Sequence, residues 1–323
     1  MEKRRDFIKK ASLLSIGLPL MGAMGCKGDT KGAAAVKSTV DEAVKSGFTL
    51  DEFGLQLWSI KDAMYKDPKG TLKKLGEYGY DTVESFQGDQ GVFWDMTAKD
   101  FKTFLGDCNL NMLSAHCDSG YALDPKKRDE FKKLVDDASE IGMKYLTNPY
   151  LGSLKTKDEF KKATDGFNEL GEICKANGLM YCYHNHHYSF QELDGEFPQD
   201  IMMKGTEGAN VGFEMDIYWV VAAGQDPEKW LKKYPNRFVM SHVKDRYKAD
   251  KVAEIKKEEG ADENFGVSAS CVLGTGPIDF NQVLQTAKDN GMSRYIVEQE
   301  RFDGMTSMEA IEKDAAFMKQ YRV

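Results

Sequence analysis

Beyond residue 49, short apolar runs rich in β-branched and aromatic residues alternate with longer stretches in which apolar positions recur every three to four residues. The short runs predict strands near Phe53–Ser59, Thr82–Phe86, Leu110–His116, Lys144–Pro149, Met180–His184, Val211–Asp216, Phe238–His242 and Tyr295–Glu298. Helices are expected between them, over Gly70–Tyr78, Ala98–Cys108, Pro125–Ile141, Lys157–Asn177, Pro198–Lys204, Pro227–Lys233, Asp279–Asn290 and Ser307–Tyr321. Gly79, Gly142, Gly178 and Gly291 each follow a helical stretch and precede a strand, as C-terminal caps do. Eight strands alternating with eight helices in about 270 residues predict an α/β protein, a (β/α)8 TIM barrel. The competing doubly wound sheet lacks its Gly-rich turn after the first strand. One connection, Lys248–Val272, is too long and too charged for an ordinary turn and reads as a lid or specificity loop.

The first 49 residues break this pattern. Arg4-Arg5, followed by Asp6-Phe7-Ile8-Lys9, resembles the twin-arginine export motif, and the apolar stretch Ala11–Met24 is too short and glycine-interrupted for a membrane span. Cys26, after Ala23-Met24-Gly25, resembles the lipid-modified cysteine of a bacterial lipoprotein, with simple cleavage as the alternative. Residues 1–25 are thus expected to be a signal peptide, 26–49 a Lys-, Gly-, Ala- and Thr-rich tether, and 50–323 the barrel. The expected location is the periplasm, with membrane contact only through an anchor on Cys26. The 323-residue chain carries a net charge of -8, and its first 25 residues hold five basic groups against Glu2 and Asp6, so the remainder is more acidic still. Such a surface repels a phosphate backbone, which argues against a nucleic-acid partner. Cys108, Cys117, Cys174, Cys182 and Cys271 match no zinc spacing and read as buried thiols.

In a barrel of this kind the C-terminal strand ends converge on one face, so residues far apart in sequence meet there. All five histidines fall at or just beyond predicted strand ends: His116, then His184, His186 and His187, then His242. Glu84, Asp216 and either Glu298 or Glu300 end three further strands. Mixed imidazole and carboxylate suits Mn2+, Zn2+, Fe2+ or Co2+ better than Ca2+.

The segments DIYWVVAAGQDP (Asp216–Pro227), SHVKD (Ser241–Asp245), LGTGPIDF (Leu273–Phe280) and IVEQE (Ile296–Glu300) resemble the xylose isomerase-like TIM-barrel superfamily over about residues 50–323. That superfamily includes sugar isomerases and epimerases, inosose dehydratase and an endonuclease branch. The resemblance implies one divalent metal, Mn2+ before Zn2+, Co2+, Fe2+ or Mg2+, held by residues ending strands five to eight. Matched by motif, Asp216, His242 and Glu298 are ligands, and His184, within YHNHHYSF, stands where sugar-active members carry a glutamate. A further acid common after that motif is replaced by Ser189.

A metal-polarised carbonyl acidifies the neighbouring C–H, and Glu298, His116, His186 or His187 could take that proton. Lys244 could stabilise the oxyanion, Trp58, Trp94 and Trp219 could stack on a sugar ring, and Glu84 and His187 are further candidates for substrate contact. The implied activity is isomerisation or epimerisation of an unphosphorylated sugar or keto-sugar. Two alternatives stand beside it, β-elimination from a 3-keto-glycoside and a non-catalytic sugar-binding barrel.

Overall fold

The computed structural model describes residues 47–259 and 268–322, so the expected signal and nearly all of the tether lie outside the described residues. Ten strands are formed: β1 (Gly54–Gln56), β2 (Thr82–Phe86), β3 (Asn111–His116), β4 (Tyr145–Asn148), β5 (Met180–His184), β6 (Val211–Asp216), β7 (Phe238–Val243), β8 (Asp245–Arg246), β9 (Ser270–Cys271) and β10 (Arg294–Val297). Eight of them close a parallel barrel in the order β1-β2-β3-β4-β5-β6-β7-β10, with β10 pairing back to β1. Strands covered on both faces read as continuous apolar runs, and β2 and β6 are buried along their whole length.

The helices between strands lie close to their predicted spans, and their ends have local causes. Thr156 and Thr306 form capping boxes with Glu159 and Glu309, and Asp67 caps the helix Pro68–Tyr78 by accepting from the Gly70 N–H. At the opposite ends the chain turns through left-handed backbone at Gly79 (φ 86°), Gly142 (84°), Gly178 (77°) and Gly291 (94°).

Inside the barrel the period of two along each strand stacks the residues in layers. Cys182, Met240 and Ile296 form an apolar layer. Gly212 is glycine because a Cβ there would lie 2.7 Å from Met180 Sδ and 2.8 Å from Val239 Cγ2. Two residues further along their strands, the inward positions become His184, Glu214 and His242, so the apolar layer gives way to a polar one toward the C-terminal ends.

Three expectations change. Phe48, placed in the tether, is 2% exposed and packs edge-on against Tyr295 and Tyr321, because these rings close the base of the barrel. The segment Lys248–Val272, read as a lid or specificity loop, has secondary structure that the sequence reading did not assign: it contains the helix Ala249–Glu258 and returns through β9, which pairs antiparallel with β8, while residues 260–267 lie outside the described residues. Trp94 cannot stack on a ligand, because it is 3% exposed beneath Phe86 with its indole N–H donated to Ser85. The five cysteines after residue 100 are all buried with free thiols. Among the described residues, no helix is long and apolar enough to cross a membrane.

Candidate metal centre and active site

Asp216 ends β6 and caps the helix Ile217–Ala222, Oδ1 accepting the Trp219 N–H at 2.9 Å. Buried Asn185 clamps its backbone from both sides: the Asn185 amide donates to the Asp216 carbonyl, and Asn185 Oδ1 accepts the Asp216 N–H, each at 3.2 Å. Oδ2 is thereby aimed at the barrel axis. His184 ends β5 with Nδ1 3.4 Å from the Pro149 carbonyl, which can only accept, so Nε2 carries the lone pair and lies 3.5 Å from Asp216 Oδ2. On β7, the His242 Nε2 lies 2.8 Å from Glu84, leaving Nδ1 3.3 Å from Glu298 and 3.9 Å from Asp216.

The ligand atoms of His184, Asp216, His242 and Glu298 therefore all fall within 4.8 Å of one another. His184 Nε2, Asp216 Oδ2 and His242 Nδ1 are buried without a hydrogen-bond partner. Buried polar atoms left in that state are costly, and three facing one point fit a cation. Two imidazoles, each of which gives up its proton at the ligating nitrogen to bind a metal, and two carboxylates would balance the charge of a divalent ion, so the residues present fit the expected metal.

Beneath this group lies a second polar layer. Glu84, fully buried, is gripped by the Gln56 amide at 2.7 Å, by the Ser114 hydroxyl and by His242. It was expected at the substrate, and the structure instead puts it under the histidines with no surface of its own. Burial alone would push its carboxyl up, but the His116 and His242 rings hold it well below the usual range. His116 Nε2 sits 3.0 Å from Glu214 and 3.2 Å from Glu84; burial opposes its charge, yet these two carboxylates raise its pKa to about 9. At neutral pH it is a cation, suited to donate a hydrogen bond and unsuited to take a proton.

Lys244 is fully buried and lies 2.9 Å from Glu298 and 3.6 Å from Asp216, with Glu300 closing the third side. Burial would lower its pKa, but these carboxylates keep it charged. Burial likewise opposes the charge on Glu298, and Lys244 and His242 hold it ionised. His186 is the reverse case: burial, then His184 and Lys244, push it well below the ordinary histidine value, so it is neutral.

His184 and Glu298 open onto a cavity of about 320 Å³ walled also by Trp58, Tyr150, His116, His186 and Glu300, while Asp216, His242 and Lys244 lie buried behind that lining. Trp58 is 41% exposed at its rim, with the Lys61 ammonium 3.9 Å above the ring. Trp219 and His187 lie further out, their rings 5.3 Å apart. Ser189 does not face the cavity; it is buried with its hydroxyl 2.8 Å from that of Tyr183. Sequence reasoning missed Glu214 and Asn185. Glu214 carried a signal, standing two residues before Asp216 and hence on the same face of β6.

The chain is similar to inosose dehydratase of Clostridium perfringens, 30% identical over 128 residues, 39% of this chain and 42% of that enzyme, so it spans less than half of the curated relative's length. Among solved structures it resembles a sugar phosphate isomerase/epimerase from Parabacteroides distasonis, with 28% identity, a TM-score of 0.68, and 82% of this chain and 96% of that one covered. The fold is shared with the IOLI protein bearing a zinc atom, at 20% identity and a TM-score of 0.65 over 84% of this chain and 98% of that one. Since the model of the xylose isomerase-like TIM barrel also matches residues 72–321, the chain belongs to that family.

Proposed function

We propose that this barrel is a divalent-metal-dependent carbohydrate enzyme that removes a proton from the carbon beside a carbonyl of an unphosphorylated sugar or keto-sugar. The observation that carries this reading is the set of three unpartnered buried ligand atoms facing Glu298. A divalent ion held by His184, Asp216, His242 and Glu298 would supply Lewis acidity to a carbonyl and its neighbouring hydroxyl. Lys244, buried behind the cavity lining, adds a fixed ammonium beside Glu298 that keeps this carboxylate ionised and stabilises negative charge at the centre from behind it. His186, uncharged and on the cavity wall, is the candidate base, a weak one whose task the Lewis-acidified C–H would make feasible, whereas His116, on the same cavity's wall, holds its own proton.

The expected location supports an unphosphorylated substrate, since residues 1–25 read as an export signal and phosphorylated sugars are cytoplasmic metabolites. The metal is expected to be Mn2+ before Zn2+, Co2+, Fe2+ or Mg2+. A second reading, β-elimination, is favoured by the one-sided placement of acids. With His184 on β5, the site's second metal-binding carboxylate, Glu298, lies on the β10 side together with Glu300 and Lys244, so the two faces of a bound sugar meet different groups. Similarity to inosose dehydratases points the same way.

The test is to purify the protein, measure bound metal, and follow solvent deuterium into fructose and a 3-keto-glucoside by NMR. Exchange at the carbon beside the carbonyl, lost in Asp216→Ala together with the metal, is the expected result. A new unsaturated product selects elimination over isomerisation. Metal bound without exchange on either sugar overturns the catalytic reading in favour of a binding barrel.

A further inference from the structure

The cavity at the barrel mouth is not isolated. A second one of about 510 Å³ adjoins it, with Tyr150, His186 and Glu300 common to both walls. Its other walls include Lys155, His187, Tyr188, Gln191 and Trp219, and none of the four metal-binding candidates lines it. It is larger than the cavity beside the metal centre, which already suffices for one sugar ring.

The lining says what chemistry would settle there. Tyr150 is 50% exposed, one of the few large aromatic side chains left open to solvent, with its ring edge-on to His186 at 5.3 Å and to Tyr188 at 5.5 Å. Trp219, 5% exposed, lines the same cavity with the little surface it has, packed against His186 and His187 at 5.3 Å each. Aromatic faces with a few polar groups between them bind ring ligands that carry C–H on one face and hydroxyls at the edge. Charge gives an anion little purchase: Lys155 is an exposed ammonium that donates to the Gly152 carbonyl at 3.0 Å, no arginine among the described residues lines either cavity, and the Glu300 carboxylate stands on the shared wall.

We infer that the second cavity is a subsite for a second sugar ring, so that the substrate is a neutral two-ring carbohydrate. The reacting ring lies beside His184 and Glu298, and the attached ring lies between Tyr150 and Trp219. The inference rests on the carbohydrate reading above and extends it from a single sugar to a glycoside. The linkage between the rings passes His186 and Glu300, which both cavities share.

Calorimetric titration of the Mn2+-loaded full chain tests it, comparing fructose with lactulose and turanose, and glucose with cellobiose and maltose. At least one two-ring sugar is expected to bind about tenfold tighter than its single-ring component. Gln191→Trp, which fills the second cavity from an exposed position, should abolish that gain while leaving single-ring affinity within about twofold. Equal affinity in every pair, or a Gln191→Trp variant that weakens single-ring and two-ring binding alike or neither, overturns the subsite. Proton exchange read on the same samples separates the two ideas. A two-ring preference without exchange keeps the subsite and removes the catalytic reading; exchange on fructose without a two-ring preference does the reverse. Absence of binding by every sugar overturns both.

Discussion

Two side chains decide how the metal centre behaves. His184 puts an imidazole where the family resemblance implies a carboxylate, which would make the proposed metal site one charge less negative. His184→Glu should therefore shift preference from Zn2+ toward Mn2+ and Mg2+, checked by competition between ions for the purified protein. Glu84 acts from below: by accepting from His242 Nε2 it fixes the tautomer that turns the Nδ1 lone pair toward Glu298. Glu84→Gln retains the shape but loses the charge that orients two histidines. Its apparent Mn2+ affinity should fall about 10–100-fold, measured by titration, with far-ultraviolet dichroism unchanged. An unchanged affinity would mean that packing alone orients the ring.

Secondary-structure elements matter here through how closely they approach one another. The helix Lys157–Ala176 lies against the turn Gly120–Leu123, and a Cβ on Gly166 would fall 2.0 Å from the Ala122 carbonyl oxygen, a backbone atom that cannot rotate away. Gly166→Ala should cost about 1–3 kcal/mol in denaturant unfolding, even though alanine is the better helix former. That turn follows Cys117 and Asp118, next to the cavity wall, so sugar binding should weaken too. The strands were legible in the sequence because a parallel barrel buries them on both faces: the ends of β2, β5 and β6 coincide with the apolar runs, and their last residues, among them His184 and Asp216, could be placed on one rim. Glu214 was not legible as a site residue, since a carboxylate inside an apolar run shows no sign of the histidine that pairs with it from another strand. Glu84 was expected to end its strand and reach the substrate, but it stands in the middle of β2, because the period of two gives the face and not the depth. The excursion Lys248–Val272 misled for another reason: its charges solvate one face of a helix whose other face buries Val252 and Ile255 with Ala269.

At the scale of the whole molecule, the segment Leu273–Phe280 is tied to the barrel by two buried acids. Asp314 accepts the Leu273 N–H at 2.8 Å, and Asp245 accepts those of Gly274 and Gly276 at 3.0 and 2.9 Å. Burial raises the Asp314 carboxyl to about 8 from an ordinary 3.8, and raises Asp245 to about 6. A folded-state pKa above the unfolded one means that the native state binds the proton more tightly. The Asp314 contribution is therefore full below about pH 4 and is lost as pH rises to about 8. Asp314→Asn mimics the protonated acid, so its melting temperature should match the parent in acid and exceed it by a margin that grows to pH 8 and then levels; a margin independent of pH would refute the assignment.

The buried cysteines carry a last consequence. Cys108, Cys117, Cys174, Cys182 and Cys271 are all buried, and burial pushes every one of these thiols above its ordinary range. Thiolate, the form that oxidants and disulfide exchange require, is thus scarce and sheltered. Among the described residues the barrel is held together without cross-links, so its thermal midpoint should be the same with and without a thiol reductant.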